Sequence, residues 1–333
     1  MYTDEDLNLA VKKGVFSAHS VEEFRQLVSS SHGSSSVDEE NFRLVGGFND
    51  IFIVIACALL LFSSLWVLMS INESLAYFVF AALSWGLAEV FVKRRKMALP
   101  AIVLLLTFVG GAFNFAGSLL GDQSSYAVIF STAVSTLAAY LHWRRFKVPI
   151  TVAVGTGTAL ALLGSSVMSF FPQSAGFLLA TLFLCGCVAF ALAMYWDAGD
   201  TSRTTRKSDV AFWLHLLAAP LIIHPIFSNL GILDGNESLS NMLLIVLLYL
   251  LMTVVSISID RRAFMVSSLV YVIYALVSLF DHYGGVGYSF AVTGVVVGAS
   301  LLLLSFYWHT ARSVFVQRLP ERIQVYLPVI KKA

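Results

Sequence analysis

The sequence predicts an all-α polytopic membrane protein, a bundle of ten transmembrane helices. Three observations carry that prediction. Of the 333 residues, 58% are hydrophobic and 12% charged, against roughly 45–50% and about 25% in a soluble domain. Ten stretches have the roughly 20 apolar residues that a helix needs to cross a hydrocarbon core of about 30 Å. The charged residues fall between those stretches and sort by sign. The formal net charge of +1 leaves no basic excess for a row of phosphates, so a nucleic-acid partner is not expected. Two of the three cysteines, Cys185 and Cys187, share one apolar run, which is not the spaced framework of a disulfide-stapled domain.

Residues 1–36 form a separate cytoplasmic helical hairpin with its linker. Thr3 and Asp6 can cap a first helix, Gly14 can close it, and Ser20 with Glu23 makes a second capping box. Leu7, Val11, Val15, Phe16, Val21, Phe24 and Leu27 supply an apolar seam, and Ser29 to Ser36 read as a flexible linker. The hairpin can pack on the membrane domain, pack on a second copy, or recruit a partner. Residues 37–50 are juxtamembrane, 51–308 the membrane domain, and 309–333 a basic cytoplasmic tail.

The spans run Ile51–Met69, Ser74–Val92, Ala98–Leu120, Tyr126–Trp143, Val148–Phe171, Ala175–Trp196, Val210–Phe227, Met242–Ile259, Ala263–Phe280 and Tyr288–Trp308. The first apolar run follows a polar segment, so no cleavable signal peptide is expected. All 21 Lys and Arg fall in the N-terminal segment, after even-numbered spans, or in the tail; the opposite connections carry Glu73, Asp122, Asp234, Glu237 and Asp281. The asymmetry puts both termini in the cytoplasm, and Trp143, Tyr195, Trp196, Tyr307 and Trp308 anchor the same interface.

A repeat is visible. Asn72-Glu73-Ser74-Leu75 before span two recurs as Asn236-Glu237-Ser238-Leu239 before span eight, and both spans end in paired arginines, Arg94-Arg95 and Arg261-Arg262. Spans four and ten start at Tyr126 and Tyr288 and end at His142-Trp143 and Trp308-His309. Spans one to four and seven to ten thus read as parallel halves around spans five and six. Convergence on ordinary cap and anchor residues is the alternative.

Ionisable groups inside spans are functional candidates by default. Span seven is the richest, with His215, Pro220 and His224. Its two histidines lie nine residues apart, about 13.5 Å along the axis, and cannot share one metal. Pro220 can break the helix as in transport sites, or simply kink it. Asn114 belongs to a polar stripe on span three, and Ser131, Ser135 and His142 to another on span four; these either pack helices closely or line a hydrated path. Near the outer face His224, Asp281 and His282 could meet and relay protons, if spans seven and nine are neighbours. Glu89 stands four residues before Lys93, while Asp50 and Asp209 read as helix caps. No zinc-protease helix, nucleophile elbow or phosphate loop occurs, so neither an enzyme nor a cofactor or metal is expected.

Asp6-Leu7, Ala10-Val11, Gly14-Val15-Phe16, then Phe42 to Val45, Gly47 to Phe52, Trp213-Leu214-His215 to Pro220, and the tail's Arg318-Leu319-Pro320 and Tyr326-Leu327-Pro328 carry a resemblance. On these residues the chain resembles bacterial multi-span inner-membrane proteins of unknown function, in which a cytoplasmic helical pair precedes the bundle. The resemblance implies an inner-membrane location and no chemistry. Together these features lead us to expect a transporter of a small solute or ion, with proton coupling as one option. The alternative is a non-transporting scaffold or sensor that binds a cytoplasmic partner through its hairpin, or a homo-oligomer.

Overall fold

A computed structural model describes residues 4–31, 48–121, 125–171, 175–203, 205–230, 238–283 and 288–329. Thr3, most of the serine linker, the Phe42 to Gly47 motif, Asp122, Asp234, Asn236, Glu237, Lys331 and Lys332 lie outside them. The chain divides into two units, Met1–Asn41 and Phe42–Ala333.

In the first unit α1 (Asp4–Lys12) and α2 (Ala18–Ser31) pack together. Gly14, at φ 71°, takes the left-handed conformation that ends α1, while Val15 N–H returns to Ala10 O. The cap of α2 lies three residues earlier than the capping box predicts: Ser17 Oγ accepts from Ser20 N–H at 3.0 Å. Val21 is buried, but Leu9, Val15, Phe16 and Phe24 remain exposed, so the hairpin does not cover its own apolar seam.

The second unit has helices and short connections among its described residues. Its elements are α3 (Phe48–Met69), α4 (Glu73–Ala88, continued by a π-helical turn Glu89–Arg94), α5 (Ala98–Leu120), α6 (Ser125–Phe146) and α7 (Ile150–Phe170). There follow α8 (Ala175–Ala198), α9 (Arg206–Ser228), α10 (Leu239–Ile259), α11 (Ala263–Tyr283), α12 (Ser289–Phe306), α13 (Trp308–Gln317) and α14 (Glu321–Gln324). Among the described residues nine helices are long and apolar enough to cross a membrane. The predicted fourth span is present as α6, of 22 residues, but Ser131, Thr132, Ser135, Thr136 and His142 dilute its apolar character and it is not one of the nine. The exposed surface of these helices is crowded with Leu, Val, Ile and Phe, as a lipid-facing surface must be.

Caps set the helix starts. Asn72 Oδ1 accepts from Leu75 N–H at 2.8 Å to begin α4, and Ser238 Oγ from Asn241 N–H at 3.3 Å to begin α10. These two caps do not superpose on the proposed repeat: Ser238 aligns with Ser74, two residues past Asn72. The other end of the repeat also diverges. His142 is buried within continuous α6, whereas α12 stops at Phe306 and a new helix starts at the buried Trp308. Asp50 and Asp209 sit inside the first turns of α3 and α9, and Thr205 Oγ1 caps α9.

Helices in lipid are held by close packing more than by water exclusion, so small residues mark the tight crossings. Gly186, Ala189 and Ala193 of α8 face Ala211, Ala218 and Ala219 of α9, all the alanines fully buried. A Cβ on Gly186 would lie 2.7 Å from Ile222 Cγ1 and 2.8 Å from the Leu221 carbonyl carbon. The α4–α5 crossing is similar, with Gly111 against Phe80 and Ala81. Of the two readings of Pro220, a break or a simple kink, the break does not occur: α9 runs unbroken through Pro220 and Pro225. Pro220 is exposed, so its ring and the carbonyl it leaves bare do not disturb a packed face.

The connections after α4, α6, α8 and α10 share one device, a non-glycine residue at positive φ: Lys96, Lys147, Arg203 and Asp260. Left-handed backbone strains an L-residue and persists where neighbours over-determine it. At Arg203 and Asp260 those neighbours are visible.

Candidate functional site

Where α8, α9, α10 and α13 converge, the structure assembles a buried ionic cluster. Asp197 stands one residue before the end of α8, and His215 faces it from the antiparallel α9: Nε2 lies 2.9 Å from Asp197 Oδ2. A carboxylate only accepts, so the imidazole donates Nε2–H. Arg261, from the α10–α11 turn, donates Nη2–H to Asp197 Oδ1 at 2.7 Å and Nε–H to Oδ2 at 3.4 Å. Its Nη2 also reaches Ser208 O and Oγ, at 3.0 and 3.1 Å. Relative exposure is 0% for His215, 1% for Asp197 and 2% for Arg261. Such charges hold in low dielectric only when each is paired and hydrogen-bonded, as here.

A second knot adjoins the first. Asp260 Oδ2 accepts from Arg203 Nη1 at 2.9 Å, and Oδ1 from the Trp308 indole N–H at 2.8 Å, with Arg312 Nε 3.6 Å away. Arg203 Nη2 also donates to the Asp260 carbonyl at 3.0 Å, which ties the two left-handed residues together. Burial pushes the Arg203 guanidinium below its ordinary value, aided by Arg261, and the nearby Asp260 and Asp197 oppose that shift. Asp200 closes the α8–α9 loop by accepting from Thr205 N–H at 2.8 Å and Oγ1–H at 2.7 Å. The tail is drawn in too: Arg312 donates to Pro328 O, Val329 N–H to Thr201 O at 3.2 Å, and Leu327 is buried.

The cluster contains one residue the sequence singled out as a site, His215; of its partners, Arg261 stands out in the sequence only as part of the proposed repeat and Asp197 carries no motif. Signals existed. Trp196-Asp197 and His215 bracket a short connection, and a hairpin folded about Thr205 brings Asp197 to His215 in the same register that brings Gly186 to Ile222.

The other candidates lie elsewhere. His224 is exposed and its Nδ1 pairs with Tyr271 OH of α11 at 2.7 Å, so α9 and α11 are neighbours as expected. Asp281 is exposed ten residues farther along α11, about 15 Å by helix rise. Among the described residues no hydrogen bond or ion pair joins it to His224, and the His282 side chain lies outside them. Asn114 is exposed and donates to Gly110 O of its own helix at 2.8 Å, rather than facing a neighbour. Most span hydroxyls likewise bond back to their own helix, for example Thr107, Thr132 and Ser135. Glu89 pairs with Arg145 of α6, at 2.6 and 2.8 Å through both oxygens, in place of Lys93.

His142 is a second buried imidazole. Its Nδ1 meets Thr151 Oγ1 at 3.2 Å, and Trp85, Phe108 and Phe146 surround the ring. The three cysteines are free, and among the described residues no group of His, Cys, Asp or Glu could hold a metal. No family model, curated protein or solved structure matches the chain.

Proposed function

We propose that this integral membrane protein moves a small solute or ion across a bacterial inner membrane, with proton coupling. In this reading α6 is a tenth span, both termini are cytoplasmic, and the cluster around Asp197 seals the cytoplasmic end of the bundle. The carrying observation is the Asp197–His215–Arg261 group, ionisable side chains buried within or at the end of spans. Membrane proteins keep such groups at ion and proton pathways far more often than for stability. His215 has the means to respond to a proton: Nε2–H is committed to Asp197, while Nδ1 is buried with no hydrogen-bond partner among the described residues. A proton on Nδ1 would turn the imidazole into a second cation beside Asp197, next to Arg261, and would load one carboxylate with more positive charge than it can balance. Opening the seal is the relief that rearrangement offers.

The scaffold or sensor reading has its own support in Leu9, Val15, Phe16 and Phe24, exposed on the N-terminal hairpin and suited to an apolar partner. Uptake into proteoliposomes with an imposed pH gradient separates the two. The transport reading expects gradient-driven uptake of some solute in a broad panel, lost in His215→Ala and Asp197→Asn and kept in His224→Ala. Folded, correctly oriented protein with no uptake across the panel would sink it and favour the scaffold.

A further inference from the structure

Beside the ionic cluster, and sharing Trp308 with it, a groove of about 180 Å³ runs between α11 and α12. Met265 and Leu269 of α11 and Leu301 and Leu304 of α12 form its walls, and Arg262 and Trp308 close one end. Val266 and Val270 on one lip and Leu302 and Phe306 on the other are exposed, so the groove opens sideways onto the apolar surface that faces acyl chains. Trp308 follows the last apolar span at the basic end of the bundle, where indole rings sit at headgroup level.

Arg262 is unlike its neighbours. Arg203, Arg261 and Arg312 are all bound to Asp197 or Asp260. Among the described residues Arg262 has no carboxylate partner; its guanidinium carbon lies 5.1 Å from the centroid of the Trp308 ring. That stacking orients the guanidinium fork without using its N–H donors, which stay available to a planar or tetrahedral oxyanion. Arg262 O accepts the first-turn bond from Val266 N–H, so the positive end of the α11 dipole lies at the same place.

We propose that this groove binds an anionic phospholipid from the leaflet at the basic end of the bundle. One acyl chain lies along the Met265, Leu269, Leu301 and Leu304 walls, and the phosphate takes charge-assisted hydrogen bonds from Arg262. An apolar slot with one unpaired cation at headgroup depth suits a lipid better than a soluble anion, because only a lipid fills both parts. Basic pockets between transmembrane helices recognise anionic headgroups on this principle. The proposal rests on the membrane reading of the helices and not on transport, so a negative uptake assay leaves it standing.

The test is native mass spectrometry of the delipidated full chain in detergent, titrated with phosphatidylglycerol or phosphatidylcholine of the same acyl chains. The parent protein should retain phosphatidylglycerol several-fold more tightly. Arg262→Gln should reduce that preference about fivefold, the worth of one basic side chain at a charged bilayer surface. Leu301→Trp, which fills the slot and leaves the charge, should weaken both lipids. Arg318→Gln, exposed and outside the groove, should change nothing. Equal retention of the two lipids by the parent would overturn the proposal. So would an unchanged preference in Arg262→Gln, or a loss in Arg318→Gln as large as in Arg262→Gln. If Arg262→Gln fails to fold, as judged by its lipid-free melting curve, Leu301→Trp decides alone.

Discussion

Asp197→Ala removes a single carboxylate and strands two partners. Among the described residues His215 loses its only hydrogen bond, since Nδ1 has none there. Arg261 loses two of its contacts and keeps Ser208 O and Oγ. At 1–2% exposure for Asp197 and Arg261, water cannot screen the stranded charge, and removing one partner of such a pair costs about 3–5 kcal/mol. At about 1.4 kcal/mol per decade, the folded-to-unfolded ratio falls by roughly two to three and a half decades. Reversible unfolding of the purified protein in mixed micelles, followed by tryptophan fluorescence and by protease resistance, reads this directly. The double variant Asp197→Ala/Arg261→Met removes the stranded cation and should recover most of the loss, with a coupling at or above the upper end of the 0.5–3 kcal/mol seen for contacting residues. If Asp197→Ala lies within about 0.5 kcal/mol of the parent, or the two substitutions simply add, the cluster does not hold the bundle end as described.

Gly186→Ala should cost about 1–3 kcal/mol in the same assay, because the new Cβ meets the α9 backbone as well as the Ile222 side chain; a neutral result would mean that α8 and α9 are not so close. Trp308→Phe replaces a buried indole with a smaller ring and deletes the N–H that Asp260 accepts, so we expect at least about 1–3 kcal/mol of loss and earlier proteolysis within 308–329, with the helices before it intact. Pro220→Ala should be neutral or mildly stabilising, since α9 is already continuous there, and abolished uptake in a stably folded Pro220→Ala would show that the proline works as a break after all. Single cysteines replacing Lys96, Lys147 and Arg318 should react with an impermeant reagent from one side of the membrane and those replacing Glu73 and Asp281 from the other; mixed sidedness would refute both the orientation and the tenth span.

Helix positions were legible in the sequence to within a few residues because the constraint is one-dimensional: span length and hydropathy need no partner. Thus the span predicted as Ala98–Leu120 coincides with α5, and Met242–Ile259 falls inside α10. The site was legible only where burial of a charge is itself anomalous, as for His215 in an apolar run. Asp197, Asp260 and Arg261 stand beside span ends, where a sequence reader assigns them to solvated caps and topology signals. Their burial follows from three-dimensional facts, the α8–α9 register and the return of α13 across the bundle end. Pro220 stayed open between break and kink for the opposite reason, since its chemistry is local but its effect depends on facing outward.

The separation of the cluster's members along the chain has a consequence for biosynthesis. Asp197 and His215 enter the membrane when Arg261 has yet to be made, and Asp260 precedes Trp308 and Arg312 by about fifty residues of synthesis. Until those residues emerge, Asp197 lacks its arginine, and Asp260 has Arg203 but neither the Trp308 indole N–H nor Arg312. The final helices therefore act as the closing step of assembly. A chain stopped before residue 308 would carry every one of its membrane helices and still present an open, charged end to quality control.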